Sequence, residues 1–273
     1  MLTKRVATAA VLLPLVIGSI LWSGKQPLGW PFLLLCGAAA ALCAYELFRM
    51  FAWEGRDLAA GVALAALVYL SATVLPAALS LPAVLLFAVL AVLHPLPGAD
   101  DIGAKTLRAA MLVLGAVYAG GLPAMYPMTL ALPRGEHWVL LGILTVSAGD
   151  TLAYFTGRTL GRRKLAPALS PNKTVEGAAG GLAGSVACSV LYAHWLLPGV
   201  PAWYVALAGA AVGAFGQGGD LFESLLKRAA GVKDSGTALP GHGGILDRVD
   251  GMLAAAPVLY LAAAFASLVE SWS

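Results

Sequence analysis

Charge is what this chain has least of. Of its 273 residues, 11% are Asp, Glu, Lys or Arg and 60% are hydrophobic, against roughly 25% charged in a typical soluble domain. With a mean hydropathy of +0.84, that deficit excludes a water-soluble globule and calls for an all-α polytopic integral membrane protein. The net charge is only +3, so no nucleic-acid partner is expected. Cysteine is scarce too: Cys36, Cys43 and Cys188 all lie inside apolar runs. That placement argues against a disulfide frame or a thiolate metal site and makes them small buried hydrophobes. No repeat, low-complexity tail or soluble insert breaks the pattern. The chain therefore reads as one membrane-embedded unit over 1–273, with N-terminal helices over 1–135 and the chemistry-bearing helices and loops over 136–273.

Nine apolar runs are present, each near the ~20 residues a bilayer needs. They cover roughly 5–22, 30–48, 58–78, 81–97, 107–130, 137–156, 177–197, 201–222 and 251–270. Lys4-Arg5 before the first run has the outline of a signal peptide. The following WSGKQPLGW offers no small-x-small cleavage site, so a retained helix is expected. Pro27, Pro31, Pro82, Pro198 and Pro201 punctuate the joins, and the third and fourth runs are close enough for a tight hairpin. All seven tryptophans, Trp22, Trp30, Trp53, Trp138, Trp195, Trp203 and Trp272, fall near run ends, as in an interfacial belt.

Nine spans with a cytoplasmic N-terminus leave Lys25 and Arg134 outside and the other 15 of the 17 cationic residues inside. One span more or fewer would scramble that bias, so the positive-inside rule predicts N-terminus in and C-terminus out. Short termini without targeting extensions favour a bacterial plasma membrane.

Two inside-facing stretches carry the charge. Ser147 to Gly181 holds Asp150 within an apolar run, where an unpaired carboxylate costs about 2.5–3.5 kcal/mol, then Arg158, Arg162, Arg163 and Lys164. Lys173 follows in SPNKT, just before Glu176 and a glycine-rich helix start, a ready anion site. Gly177, Gly180, Gly181 and Gly184 recur at helical spacing, which suits close helix packing better than ligand contact.

The second stretch runs from the eighth span into SLLKRAAGVKDSGTALPGHGGILDRVD. Asp220, Ser224 and Lys227, four and then three apart, share a helix face with Arg228 beside it. Lys233, Asp234, His242, Asp247, Arg248 and Asp250 follow in one connection. Its glycines, Gly236, Gly241, Gly243 and Gly244, stand where backbone must come close to something. Cations, carboxylates and open N–H groups together suit a metal-bound polyphosphate, though charge and glycine alone fit an ordinary cytoplasmic loop equally. An N-cap explains one of Asp247 and Asp250, not both together with Asp220. His242 fits a phosphate donor, a proton carrier or a loop-stabilising hydrogen bond equally. Asn at Asp247 keeps size and capping ability, so the fold is expected to survive that change. Asp57, in a short connection without such neighbours, is expected to be silent when neutralised.

Ser224-x-Leu226-Lys227-Arg228, Lys233-Asp234-x-Gly236 and Leu239-Pro240-x-His242-Gly243-Gly244-Ile245-x-Asp247-Arg248-Val249-Asp250 resemble the signature of the phosphatidate cytidylyltransferase (CDP-diacylglycerol synthase) family. Asp150-Thr151-x-Ala153-Tyr154, Gly157-Arg158-x-x-Gly161 and Ser170-Pro171-x-Lys173-Thr174-x-Glu176-Gly177 resemble its second block, with Asn172 where many members carry Lys. The N-terminal half matches only through its spans and Tyr45-Glu46.

The resemblance implies CMP transfer from CTP to phosphatidic acid, giving CDP-diacylglycerol and pyrophosphate, with Mg²⁺ required. It leaves open a second, monovalent cation and a homodimer. On this reading Asp220 and Asp247 lead as Mg²⁺ ligands with Asp250 third, and Lys227 and Arg248 join them in catalysis. Lys227, Arg228, Lys233 and Arg248 bind phosphates, with Lys173 from the other loop closing the site. Asp150, Arg158, Ser224, Asp234, His242, Gly243 and Gly244 complete the substrate site, and the lipid tails enter sideways between spans. A CTP-dependent polyprenol or dolichol kinase would use similar groups but release CDP. An ion-coupled transporter would account for Asp150 and Asp220, but not for the cations clustered on one side.

Overall fold

The computed structural model describes residues 2–24, 29–95, 101–238 and 243–270. Ten α-helices run through them: α1 (Leu2–Ser23), α2 (Trp30–Met50), α3 (Gly55–Val74), α4 (Ala77–Leu93), α5 (Ile102–Gly115), α6 (Leu122–Leu130), α7 (Gly135–Leu160), α8 (Val175–Leu196), α9 (Ala202–Ala229) and α10 (Leu246–Glu270). Among the described residues, seven helical segments are long and apolar enough to cross a membrane, counting α5 through α6 as one, and two shorter apolar helices accompany them. The chain is thus a polytopic, multi-pass membrane protein.

Local chemistry explains most boundaries. Pro31 enters α2 in its first turn, where a missing N–H costs nothing. The Asp101 carboxylate accepts from Gly103 N at the start of α5, and Thr174 Oγ1 accepts from Gly177 N at the start of α8. Between α5 and α6 the chain widens into a π-helical turn, Ala116–Gly121, with Leu122 N–H donating to the Val117 carbonyl. Pro123 follows immediately; it has no N–H and would crowd the carbonyl four residues back, and the wider turn relieves that conflict. The same turn brings Gly120 onto the Ala65 carbonyl of α3, with no room for a Cβ.

Three expectations are corrected. Pro82 lies inside α4, and the α3–α4 join falls instead at Leu75-Pro76. Trp138 is buried in the core, while Trp22, Trp30, Trp195 and Trp203 are exposed at helix ends; Trp272 lies outside the described residues. Asp57 is partnered: its carboxylate meets His94 Nε2 and Arg108 Nη1, each at 3.3 Å, tying the starts of α3 and α5 to the end of α4. The all-α expectation also misses a two-stranded antiparallel hairpin, β1 (Lys164–Ala166) with β2 (Ser170–Thr174), inserted between α7 and α8. Its base is closed by Glu176, whose carboxylate accepts from Arg162 N and Arg163 N at 3.0–3.3 Å.

Helices α7 and α8 pack through small residues. A Cβ on Gly181 would stand 2.9 Å from both the Gly149 carbonyl and Ala153 Cβ, and one on Gly180 would overlap Thr156. Buried hydroxyls stitch the same interface: Ser185 Oγ donates to the Thr145 carbonyl at 3.1 Å, and Thr145 Oγ1 meets Ser189 Oγ at 2.9 Å. Gly181→Ala is therefore expected to destabilise the protein by about 1–3 kcal/mol, because fixed backbone must give way. Gly218→Ala, with no atom within 4 Å of the added methyl, should instead be neutral or slightly stabilising. Thermal unfolding in detergent checks the pair, and equal melting points would refute this account of the interface.

One end of the bundle gathers the charge. The end of α7, the hairpin, the start of α8, the end of α9, the start of α10 and the end of α2 meet there, as shown by contacts from Arg228 to Leu169 and from Glu46 to Leu246. Arg134 lies at the opposite end, where its guanidinium donates to the Pro198 carbonyl at 2.8 Å.

Candidate active site

At the charged end a cleft of about 640 Å³ opens between α7, the hairpin, α8, α9 and α10, within the size range of small-molecule sites. Asp150, Tyr154 and Arg158 line it from α7, Asn172 and Lys173 from β2, Gln217 and Asp220 from α9, and Asp247, Arg248 and Asp250 from α10. Helical spacing accounts for Asp150, Tyr154 and Arg158, for Gln217 and Asp220, and for Asp247 and Asp250: residues three or four apart on one helix project to the same side. The structure thus brings together Asp150, Arg158, Lys173, Asp220, Asp247, Arg248 and Asp250, from segments up to a hundred residues apart.

The carboxylates differ in how far they are already engaged. Asp220 Oδ2 pairs with Lys173 Nζ at 2.6 Å, bridging α9 and β2 with both side chains partly open to solvent. Among the described residues, Asp250 accepts only from Gly251 N at 2.8 Å, and Asp150 has no hydrogen bond or ion pair. These three lie within electrostatic reach of one another. Asp247 is saturated by comparison: Oδ1 accepts from Lys227 Nζ at 2.7 Å, and Oδ2 from Ser235 N and Gly244 N, both at 3.0 Å. An asparagine there would turn an acceptor into a donor against these groups. The expectation that Asp247→Asn spares the fold is accordingly corrected.

Lys227 lies beside the cleft, not in its lining, held between Asp247 and Glu223 Oε2 at 2.5 Å. Ser224, Arg228, Lys233, Asp234, Gly243 and Gly244 are also outside the lining. The Arg228 side chain reaches back to the carbonyls of Leu169 and Val232 at 3.4–3.5 Å. His242 and Gly241 lie outside the described residues. The loop glycines have an unforeseen reason. A Cβ on Gly236 would meet Glu46 Oε1 at 2.6 Å, and one on Gly244 would meet Glu46 Oε2 at 2.5 Å, so both make room for a buried carboxylate from α2.

Sequence reasoning passed over Glu223, buried at 1% exposure, although Glu223 and Lys227 form an i, i+4 pair that spacing alone could have flagged. It also passed over Gln217, one turn before Asp220, whose Nε2 donates to the Ala178 carbonyl at 3.0 Å. Tyr154 is one turn before Arg158 and accepts from its Nη1 at 2.8 Å.

Among the described residues, no three His, Cys, Asp or Glu side chains form a ready metal cage. The donor chemistry suits Mg²⁺ nonetheless: open carboxylate oxygens of Asp150, Asp220 and Asp250 face one cleft, and Mg²⁺ is commonly held by one or two carboxylates with substrate phosphates and waters supplying the rest. Arg158, Lys173 and Arg248 border those carboxylates, so the cleft offers hard oxygen ligands and anion partners side by side.

The model of the cytidylyltransferase family matches residues 3–266. The chain is 39% identical over 265 residues to the phosphatidate cytidylyltransferase of Pseudomonas aeruginosa, spanning 94% of this chain and 95% of that one. It is 45% identical over 152 residues to the protein of that name from Brucella abortus, 54% of each chain. With the one from Bacillus subtilis it shares 45% identity over 126 residues, 46% of this chain and 47% of the other.

Proposed function

The chain belongs to the cytidylyltransferase family, and on that footing we propose that it transfers CMP from CTP to phosphatidic acid, a step of phospholipid biosynthesis, releasing pyrophosphate and leaving CDP-diacylglycerol in the membrane. The observation that carries this reading is the convergence of Asp150, Asp220 and Asp250 with Arg158, Lys173 and Arg248 in one cleft at the charged end of a membrane bundle.

The reaction asks little covalent chemistry of the protein. An oxygen of the lipid phosphate, already ionised near neutral pH, attacks the α-phosphorus of CTP. The bond from that phosphorus to the bridging oxygen breaks, and pyrophosphate departs with the electron pair. No strong general base is needed, so catalysis rests on alignment and charge neutralisation. Lys173 on its hairpin, Arg158 and Arg248 are suited to hold the phosphates of the two substrates in line. Asp220 and Asp250 would hold Mg²⁺, with Asp247 third because its carboxylate is already occupied. When bound, the ion would neutralise charge on the triphosphate and on departing pyrophosphate. Lys227, enclosed by Glu223 and Asp247, fixes a carboxylate in place in this scheme and does not meet a phosphate.

The orientation follows from charge. The cleft end carries Arg49, Arg56, Arg108, the hairpin cations, Arg228, Lys233 and Arg248, which supports nine spans, a cytoplasmic N-terminus and an external C-terminus in a bacterial plasma membrane, with the cleft open to the CTP pool. In a background lacking the three native cysteines, Lys233→Cys should be shielded from impermeant thiol reagents in intact cells, while Arg134→Cys should label. Labelling of Lys233→Cys from outside would overturn the orientation.

The deciding experiment incubates the purified protein with CTP, phosphatidic acid and Mg²⁺ and follows pyrophosphate and CDP separately. Stoichiometric pyrophosphate and CDP-diacylglycerol are expected. Release of CDP without pyrophosphate would replace this reading with a lipid kinase.

A further inference from the structure

Glu46 belongs to α2, in the half of the chain that contributes nothing to the cleft lining. Its carboxylate is buried at 2% exposure, with no cation paired to it among the described residues. Such a group is costly unless hydrogen bonds replace its lost water. Three do. Ser235 Oγ donates to Oε2 at 3.1 Å, Leu246 N to Oε2 at 2.9 Å and Ile245 N to Oε1 at 3.0 Å. Ile245 immediately precedes α10 and Leu246 is its first residue, so the carboxylate caps a helix some 200 positions away in sequence, where the helix dipole also favours negative charge.

The bonds continue toward the cleft. Ser235 Oγ, while donating to Glu46, accepts from Asp247 N at 3.3 Å, and Ser235 N donates to Asp247 Oδ2 at 3.0 Å. Asp247 and Arg248 line the cleft, and Asp250 lies one turn further along α10. Gly236 and Gly244 leave the space this carboxylate fills.

We propose that Glu46 is a positioning residue: its carboxylate clamps Ser235 and the first turn of α10, fixing the direction in which Asp247, Arg248 and Asp250 enter the cleft. The clamp rests on geometry alone; its effect on turnover rests on the transferase reading above.

The test compares Glu46→Gln, Ser235→Ala and the double variant in nanodiscs. Glutamine keeps the size but turns an N–H donor toward backbone N–H groups, so amide exchange over residues 243–248 should rise by about tenfold or more. Because a displacement near 1 Å costs about a hundredfold in well-aligned reactions, kcat should fall by about 10- to 100-fold. KM for CTP should rise by less than kcat falls, since Arg158 and Lys173, on other elements, keep their places while Arg248 alone of the phosphate-binding cations is displaced. Ser235→Ala should show the same pattern more weakly, and the double variant should be no worse than Glu46→Gln, because the serine acts through the glutamate. Unchanged exchange over 243–248 in Glu46→Gln would overturn the clamp. Raised exchange with wild-type kcat per folded molecule would overturn the positioning role, and so would a loss of folded protein with unaltered kcat and KM in the remainder. If Glu46→Gln does not fold at all, the Ser235→Ala exchange and kinetics decide on the same criteria. Absence of pyrophosphate release by the wild type would sink the transferase reading while leaving the exchange result to judge the clamp.

Discussion

Replacing Asp220 with asparagine is expected to lower kcat by about two to three orders of magnitude and to leave stability within about 1 kcal/mol of wild type. The two effects separate because of where the side chain lies. Its ion pair to Lys173 at 2.6 Å joins two partly solvated groups, and such pairs contribute little to folding. Asparagine can still accept a hydrogen bond from Lys173, so the hairpin keeps its contact with α9. What the amide lacks is the charge that would draw Mg²⁺ toward phosphate oxygens. The loss should ease as Mg²⁺ is raised, and Asp250→Asn should behave alike. The double variant should lose little beyond either single one if the two carboxylates act as a unit. Pyrophosphate release at limiting Mg²⁺, with thermal unfolding alongside, checks all of this. A kcat for Asp220→Asn within about threefold of wild type would show that the ion is held elsewhere.

Lys227→Met carries the largest expected cost in stability, about 3–5 kcal/mol. Lys227 Nζ is clasped by Glu223 Oε2 and Asp247 Oδ1, whose side chains are 1% and 8% exposed. Removing the cation leaves two enclosed carboxylates facing each other. The cost is sharpened because Glu223 Oε1 already lacks a hydrogen-bond partner among the described residues. Methionine matches the aliphatic stem, so packing is not the cause of the loss. Adding Glu223→Gln to Lys227→Met should recover part of it, since one of the stranded charges is gone. Melting of the two variants in detergent decides the matter. Wild-type stability in Lys227→Met, together with a raised KM for CTP, would return Lys227 to the role of a phosphate ligand.

The amino-acid sequence by itself determined the class of this protein and the register of its helices. A charge deficit of this size leaves only a lipid-embedded bundle, and periodicity along each apolar run sets which side chains share a face. Asp220 is thereby placed one turn from Glu223 and two from Lys227, and Asp247 one turn from Asp250, whatever surrounds them. The clustering of cations into alternate connections, and the signature carried by Ser224 to Asp250, were legible for the same reason: both are properties of neighbours in the chain. Tertiary structure decided the rest. That Lys173 meets Asp220, that Trp138 is core and not belt, and that Asp57 holds His94 and Arg108 depend on how helices are rotated and offset against one another. Local spacing carries no information about that. The loop glycines show the difference most clearly. Their small size was plain in the sequence and suggested room for phosphate, but Gly236 and Gly244 make room for Glu46, almost two hundred residues earlier. A buried carboxylate must take its hydrogen bonds from whatever donors the packed helices bring to it, and only the assembled bundle brings Ser235, Ile245 and Leu246 within reach of α2.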